Sequence, residues 1–274
     1  MKAIGFLGGQ FGDLVIMTVC CRAFKRAYPD GHLTFAVAAK YRDILPLFFN
    51  HPLIDDFHVW EGYDTAWPTA ADKEYTQWRG YDMVCNAIAQ HTRPDWYNHH
   101  HYAEEACLRF GLSPPVDLSY ELAPWTKPFE DCQRVVTLSL FPSGGQQMHK
   151  TMPVTECEKL CAELKSKGYT PIQLGGRLEV KLENAIAPDL SILEAATLMR
   201  SSRLHITADT AFSSVAAAYK HPTLGFYGLG YPNMTTCTSH LPPNVNATYI
   251  KDRDPKTVTS EDLLSLIETK GLLS

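Results

Sequence analysis

Residues Leu204–Ala218 read LHITADTAFSSVAAA. The first five, mostly apolar with β-branched Ile206 and Thr207 and no acid, Lys or Arg, have the composition of a strand buried on both faces. Asp209-Thr210 follows at once, and then a run of small residues that packs as a helix. A strand that hands Asp-Thr directly to a helix start presents unpaired N–H groups and the positive helix end to an anion. The same letters also fit a plain capping turn with packing alanines, and that reading stands beside the first.

The pattern around this stretch extends in both directions. Upstream, Val135–Phe141 reads as a strand, Pro142–Gly145 as a turn, Val154–Lys167 as a helix closed by Gly168, Tyr169–Leu174 as a strand and Leu193–Ser201 as a helix. Downstream come a helix at Ala211–Lys220, a strand at Pro222–Tyr227 and a last helix at Ser260–Lys270.

The first half repeats the alternation. A strand over 2–8 leads through a glycine turn to a helix over about 13–28, which places Ile16, Val19, Cys20, Ala23, Phe24 and Ala27 on one face. Pro29-Asp30-Gly31 stops it. Leu33–Ala38, Asp56–Trp60 and Asp82–Ile88 follow as strands, Lys40–Phe49 and Tyr97–Phe110 as helices, and 61–80 as a surface excursion. Two successive β/α halves predict an α/β protein with two doubly wound parallel-sheet domains and a site in the cleft between them. The expected divisions are 1–130, 131–258 and a closing helix in 259–274, free to pack back on the first domain.

Composition narrows the function classes. The net charge of −5 gives no footprint for a stable nucleic-acid partner. No apolar run approaches the roughly 18 residues that span a bilayer, and the N-terminus lacks the long apolar region of a signal peptide. The eight cysteines form no CxxC pair and read as small apolar residues in a reducing compartment, so the expected location is the cytoplasm. His99-His100-His101 with His91 tempts a metal reading. Three consecutive histidines on a helix point three ways, however, and no metal is expected.

The glycine turns decide between chemistries. Gly8-Gly9-Gln10-Phe11-Gly12 has the spacing GGxxG rather than GxGxxG, and the second strand ends Val37-Ala38-Ala39-Lys40 without the ribose-binding acid. A nicotinamide enzyme is thereby disfavoured. Asp13, beside Gly12 at the edge of the first strand, is either a helix cap or a carboxylate serving as general base. Ser143-Gly144-Gly145 followed by Lys150 could let amides and a point charge meet a phosphate.

Several segments together resemble the bacterial heptosyltransferases of glycosyltransferase family nine. Gly12-Asp13-Leu14 and Arg22–Pro29 are similar to that family's opening turn and its "RALKRAYP" helix. His51–Asp56 is similar to "NPxIDE", Lys150–Pro153 to "KxWP" with Met152 in place of Trp, and Asp189–Leu198 to "SLxELAAL". Asp209–Pro222 with Gly225–Gly228 is similar to "DSGxxHLAAALxxPxxxxFG", with Ala211 for the glycine and Ser214 for the histidine.

The resemblance implies a GT-B fold and an inverting transfer from a nucleoside-diphosphate sugar, ADP-linked by preference, to a glycan or glycolipid hydroxyl, without a metal. It implies Asp13 as the base and Lys150 with Ser143, Gly144 and Gly145 as the diphosphate clamp. Thr210 with the amides of Ala211, Phe212 and Ser213 would hold the leaving phosphate. Glu179 would reach the donor ribose, and Asp209 would orient donor hydroxyls or the turn. It also allows a peripheral contact with the inner-membrane surface. The Ala211 and Ser214 departures keep open a nucleotide-sugar-binding module without turnover, and an epimerase or hydrolase on the same two-domain frame stands as a second alternative.

Overall fold

The computed structural model describes residues 1–7, 11–60, 80–86, 101–123, 129, 132–142, 150–175, 180–228 and 241–274. The chain divides into two compact units, Met1–Pro124 and Trp125–Ser274.

The first unit holds strands β1 (Lys2–Leu7), β2 (His32–Ala38), β3 (Asp56–Trp60) and β4 (Met83–Asn86) in the order β3-β2-β1-β4, every pair parallel. Leu33, Phe35, Ala36 and Val37 are buried together, as a strand covered on both faces requires. The chain leaves β1 to one side for β2 and returns to the other side with β4. The carboxyl end of β1 is therefore the topological switch point, where open α/β sheets bind ligands.

The helix expected over about 13–28 forms as two segments, α1 (Phe11–Ile16) and α2 (Thr18–Ala27). Thr18 supplies the reason. Its Oγ1 donates to the Val15 carbonyl at 2.7 Å and accepts from the Glu121 N–H at 3.0 Å, and back-bonding of this kind bends helices. Arg22 straps the following loop onto α2, donating to Glu121 Oε1 at 2.6 Å and to the carbonyls of Asp117 and Ser119 at 2.9 and 2.6 Å.

Two other helices differ from expectation. Ala39–Leu47 is a 3-10 helix rather than an α-helix; it contains Pro46, whose missing N–H and fixed ring disfavour an α-helical interior. The helix ending at Gly111 is described as α3 (Tyr102–Arg109) and begins after His101, whose ring accepts from the Ala103 N–H while Glu104 reaches back to the His101 N–H. His101 thus caps a helix end. His91, His99, His100 and the excursion at 61–79 lie outside the described residues.

The second unit orders β5 (Val135–Ser139), β6 (Thr170–Gln173), β7 (Leu204–Thr207), β8 (Thr223–Tyr227) and β9 (Ala247–Lys251) as β6-β5-β7-β8-β9, again all parallel. Its switch point lies between β5 and β7. β9 was not expected from the sequence; it is an edge strand, only half-buried, and lacks the continuous apolar run that marks the others. Gly228 lets the chain leave β8 tight against the next turn, because a Cβ there would stand 2.3 Å from Pro255 Cδ.

Helices α4 (Val154–Ser166), α5 (Ile192–Ser201), α6 (Ala211–Ala218) and α7 (Ser260–Thr269) complete this unit. Leu160, Cys161 and Leu164 of α4 share one core with Leu263 and Ile267 of α7. Glu156 accepts from both the N–H and the hydroxyl of Ser260 at 2.9 Å, and Lys167 pairs with Glu268 at 2.8 Å. The closing helix thus lays its apolar face on α4.

Cys20, Cys21, Cys107, Cys132, Cys157 and Cys161 are buried thiols, as expected of small apolar residues. Burial pushes the Cys161 thiol up to about 12, which keeps it inert.

Candidate functional site

The switch point of the second unit is built from hydroxyls. Ser139 ends β5 and Thr207 ends β7, and both meet Thr210, whose Oγ1 lies 2.8 Å from Ser139 Oγ and 3.2 Å from Thr207 Oγ1. The Ala208 N–H donates to the Ser139 carbonyl at 3.0 Å and the Thr210 N–H to the Ala208 carbonyl at 2.8 Å. These bonds hold the backbone of Asp209 in a fixed turn just before α6.

Asp209 pairs with Lys150, Oδ2 to Nζ at 2.6 Å. The two side chains are only 26% and 15% exposed, so water screens the pair less than it does a surface ion pair. Lys150 arrives from the segment that enters α4, whose N-cap is Pro153, with Met152 buried beneath it where the resembled pattern carries Trp. The structure thus brings two of the expected site residues into direct contact.

Helix α6 begins at Ala211 after Thr210, whose side chain does not cap it. Ala211 lies in the helix and is not among the positive-φ residues, so an alanine there adds no backbone strain. Phe212 turns inward, its ring edge-on to His205 at 6.4 Å, and contributes only backbone to the turn. Ser213 donates its hydroxyl to the Thr210 carbonyl at 2.6 Å, and Ser214 is buried. Ser143, Gly144, Gly145 and Glu179 lie outside the described residues.

Beneath this turn runs a buried polar chain that sequence reading missed. His205 Nδ1 lies 3.0 Å from Thr137 Oγ1, Thr137 Oγ1 lies 3.1 Å from Ser202 Oγ, and Ser202 Oγ lies 3.2 Å from His221 Nε2. Burial, then the neighbouring His221, lowers the His205 pKa to about 3, and burial lowers His221 to about 4. Both rings are neutral, and they serve the interior rather than a proton transfer. Their only sequence signal is a histidine within or beside an apolar strand.

In the first unit, Gly12 and Asp13 fall in the first turn of α1, directly after the carboxyl end of β1. Asp13 is therefore inside the helix rather than its cap, where a carboxylate is favoured by the helix dipole. Burial, and then the Asp13 carboxylate, raise the Tyr41 phenol above its usual range. Tyr41 stands three residues past the end of β2, the strand beside β1, and nothing in its local sequence marks it.

Among the described residues, no group of three or more His, Cys, Asp or Glu is placed to hold a metal ion. No described helix is long and apolar enough to cross a membrane.

Residues 173–264, which include the Asp209–Ser214 turn, match the family model described as glycosyltransferase family 9 (heptosyltransferase). No curated protein sequence matches the chain. Among solved structures, the chain is similar to Escherichia coli ADP-heptose LPS heptosyltransferase II, with a TM-score of 0.71 at 14% identity over 99% of this chain and 98% of that one. It is similar also to E. coli heptosyltransferase WaaC with ADP, with a TM-score of 0.70 at 16% identity over 98% and 99%. The same enzyme with ADP-2-deoxy-2-fluoro heptose gives 0.68 at 15% over 98% and 100%. At such identities the likeness is one of fold, the two-sheet GT-B architecture. With the matched segment and this architecture together, the chain is similar to the heptosyltransferases of glycosyltransferase family 9.

Proposed function

We propose that this glycosyltransferase moves a heptose or other hexose-like sugar from an ADP-linked donor to a hydroxyl of a glycan or glycolipid, with inversion at the anomeric carbon. The observation that carries this reading is Lys150 held at the head of α6, beside the Asp209-Thr210 turn and at the switch point of the sheet. A diphosphate is the ligand such a place suits, since it offers an anion to one ammonium and to helix-end amides. The ADP complexes of WaaC favour adenine as the base.

In this mechanism the acceptor oxygen attacks the anomeric carbon as the bond to the β-phosphate oxygen breaks. Asp13 takes the acceptor proton. A carboxylate so placed acts as general base by accepting that proton in the transition state. Negative charge grows on the departing diphosphate, so Lys150 and the amides of Ala211 and Phe212 stabilise the transition state more than the ground state, while the Ser213 N–H is taken by the Thr210 carbonyl at 3.1 Å. No covalent intermediate and no metal are needed for this displacement. The reaction belongs in the cytoplasm, with the acceptor presented at the inner-membrane surface.

The test is calorimetry with ADP, UDP and GDP, followed by incubation of ADP-heptose with and without a truncated lipopolysaccharide acceptor. ADP should bind, its release should require acceptor, and the product should show the inverted anomer by NMR. Failure to bind any of the three nucleotides would remove the donor site; rapid release of ADP without acceptor would favour a hydrolase.

A further inference from the structure

The donor site contains an anion of its own. Asp209 Oδ2 sits 2.6 Å from Lys150 Nζ, in a turn that hydroxyl and backbone bonds hold at the head of α6. A carboxylate there occupies the ammonium that the proposed mechanism gives to the diphosphate. Two anions cannot share one mostly shielded ammonium without repulsion.

We propose that Asp209 is a stand-in for the donor diphosphate, holding Lys150 in place while the site is empty and competing for it when the nucleotide departs. This rests on the donor-site reading given above. The pair keeps the lysine desolvated and aimed without a ligand, so little reorganisation is left for donor binding. After transfer, recapture of Lys150 by Asp209 shortens the stay of the nucleoside diphosphate, a step that limits turnover in many enzymes.

Calorimetry and stopped-flow release on the full chain, with inorganic pyrophosphate and with ADP, test the idea. Asp209→Asn should bind both about 3- to 10-fold tighter and release ADP correspondingly slower, as expected for removal of a competing partly shielded charge. In a Lys150→Gln background the same substitution should gain less than about twofold, because its effect passes through the lysine. Asp209→Ser, checked by its melting curve, repeats the measurement should the Asn variant fold poorly.

If neither folded variant binds more tightly than wild type, or if the gain persists undiminished without Lys150, the stand-in role is wrong while the donor site survives. A wild-type protein that binds neither pyrophosphate nor ADP overturns both.

Discussion

Ser139 Oγ, at the end of β5, lies 2.8 Å from Thr210 Oγ1, the last residue before α6, and so ties together the two sides of the switch point. The direction of the chain follows from hydrogen counting. Thr207 gives its one hydroxyl hydrogen to the Ala208 carbonyl at 2.7 Å, so it accepts from Thr210, and Thr210 in turn accepts from Ser139. A phosphate could take the Thr210 hydrogen only by breaking this chain. Thr210→Val should accordingly cost stability, about 1–3 kcal/mol for the buried acceptors and donors it orphans, measured by urea unfolding. An unchanged midpoint with weakened ADP binding would instead make Thr210 a direct ligand.

Asp13→Asn keeps the shape of the first turn of α1 and removes the proton acceptor. Turnover should fall roughly 10²- to 10⁴-fold while ADP binding stays within about twofold. Near-normal turnover in this variant would take Asp13 out of the mechanism.

Lys150→Ala should act on the other quantity. A lost charge-assisted contact of about 1.5–3 kcal/mol predicts ADP binding weaker by about 10- to 100-fold, with adenosine binding unaffected. Equal affinity for ADP in variant and wild type would show that the diphosphate lies elsewhere.

Stability should fall as acid is added, beginning below neutrality. Burial lowers His51 to about 4, and His221 to about 4 and His205 to about 3. Their unfolded value is near ~6.5. Between those limits the unfolded chain binds more protons than the folded one, so stability present above pH ~6.5 is lost as the pH drops through the folded values. Each histidine contributes a slope of up to ~1.4 kcal/mol per pH unit. Two of the three belong to the second unit, whose loss should be the steeper. Urea midpoints at pH 7.5, 6 and 5 check this, and a flat profile would contradict neutral, buried rings. His51 accepts the Leu53 N–H at Nδ1, which places its own hydrogen on Nε2 and agrees with a neutral ring.

Much of the fold was legible because buried parallel strands and glycine or proline stops write themselves locally. The LHITA run, the Pro29–Gly31 stop and the small-residue helix after Asp209 all appear where the letters place them. Asp13 and the Lys150 to Asp209–Thr210 region stood out for a related reason, since each follows a strand end where a turn must form. Less was visible where a partner distant in sequence decides. The Glu121 N–H that Thr18 accepts comes from far along the chain, and Tyr41 matters only beside Asp13.

What the sequence determined by itself is the succession of strands and helices and the chemical stock at their ends, because periodicity, capping and turn preference act over a few residues. Tertiary structure alone decided that α7 lies on α4, that β9 completes the second sheet, and that Lys150 closes on Asp209. Those choices depend on which apolar faces and charges meet after the chain has closed loops of tens of residues. No local pattern records such meetings, since packing and ion pairing are properties of contacts rather than of neighbours in the chain.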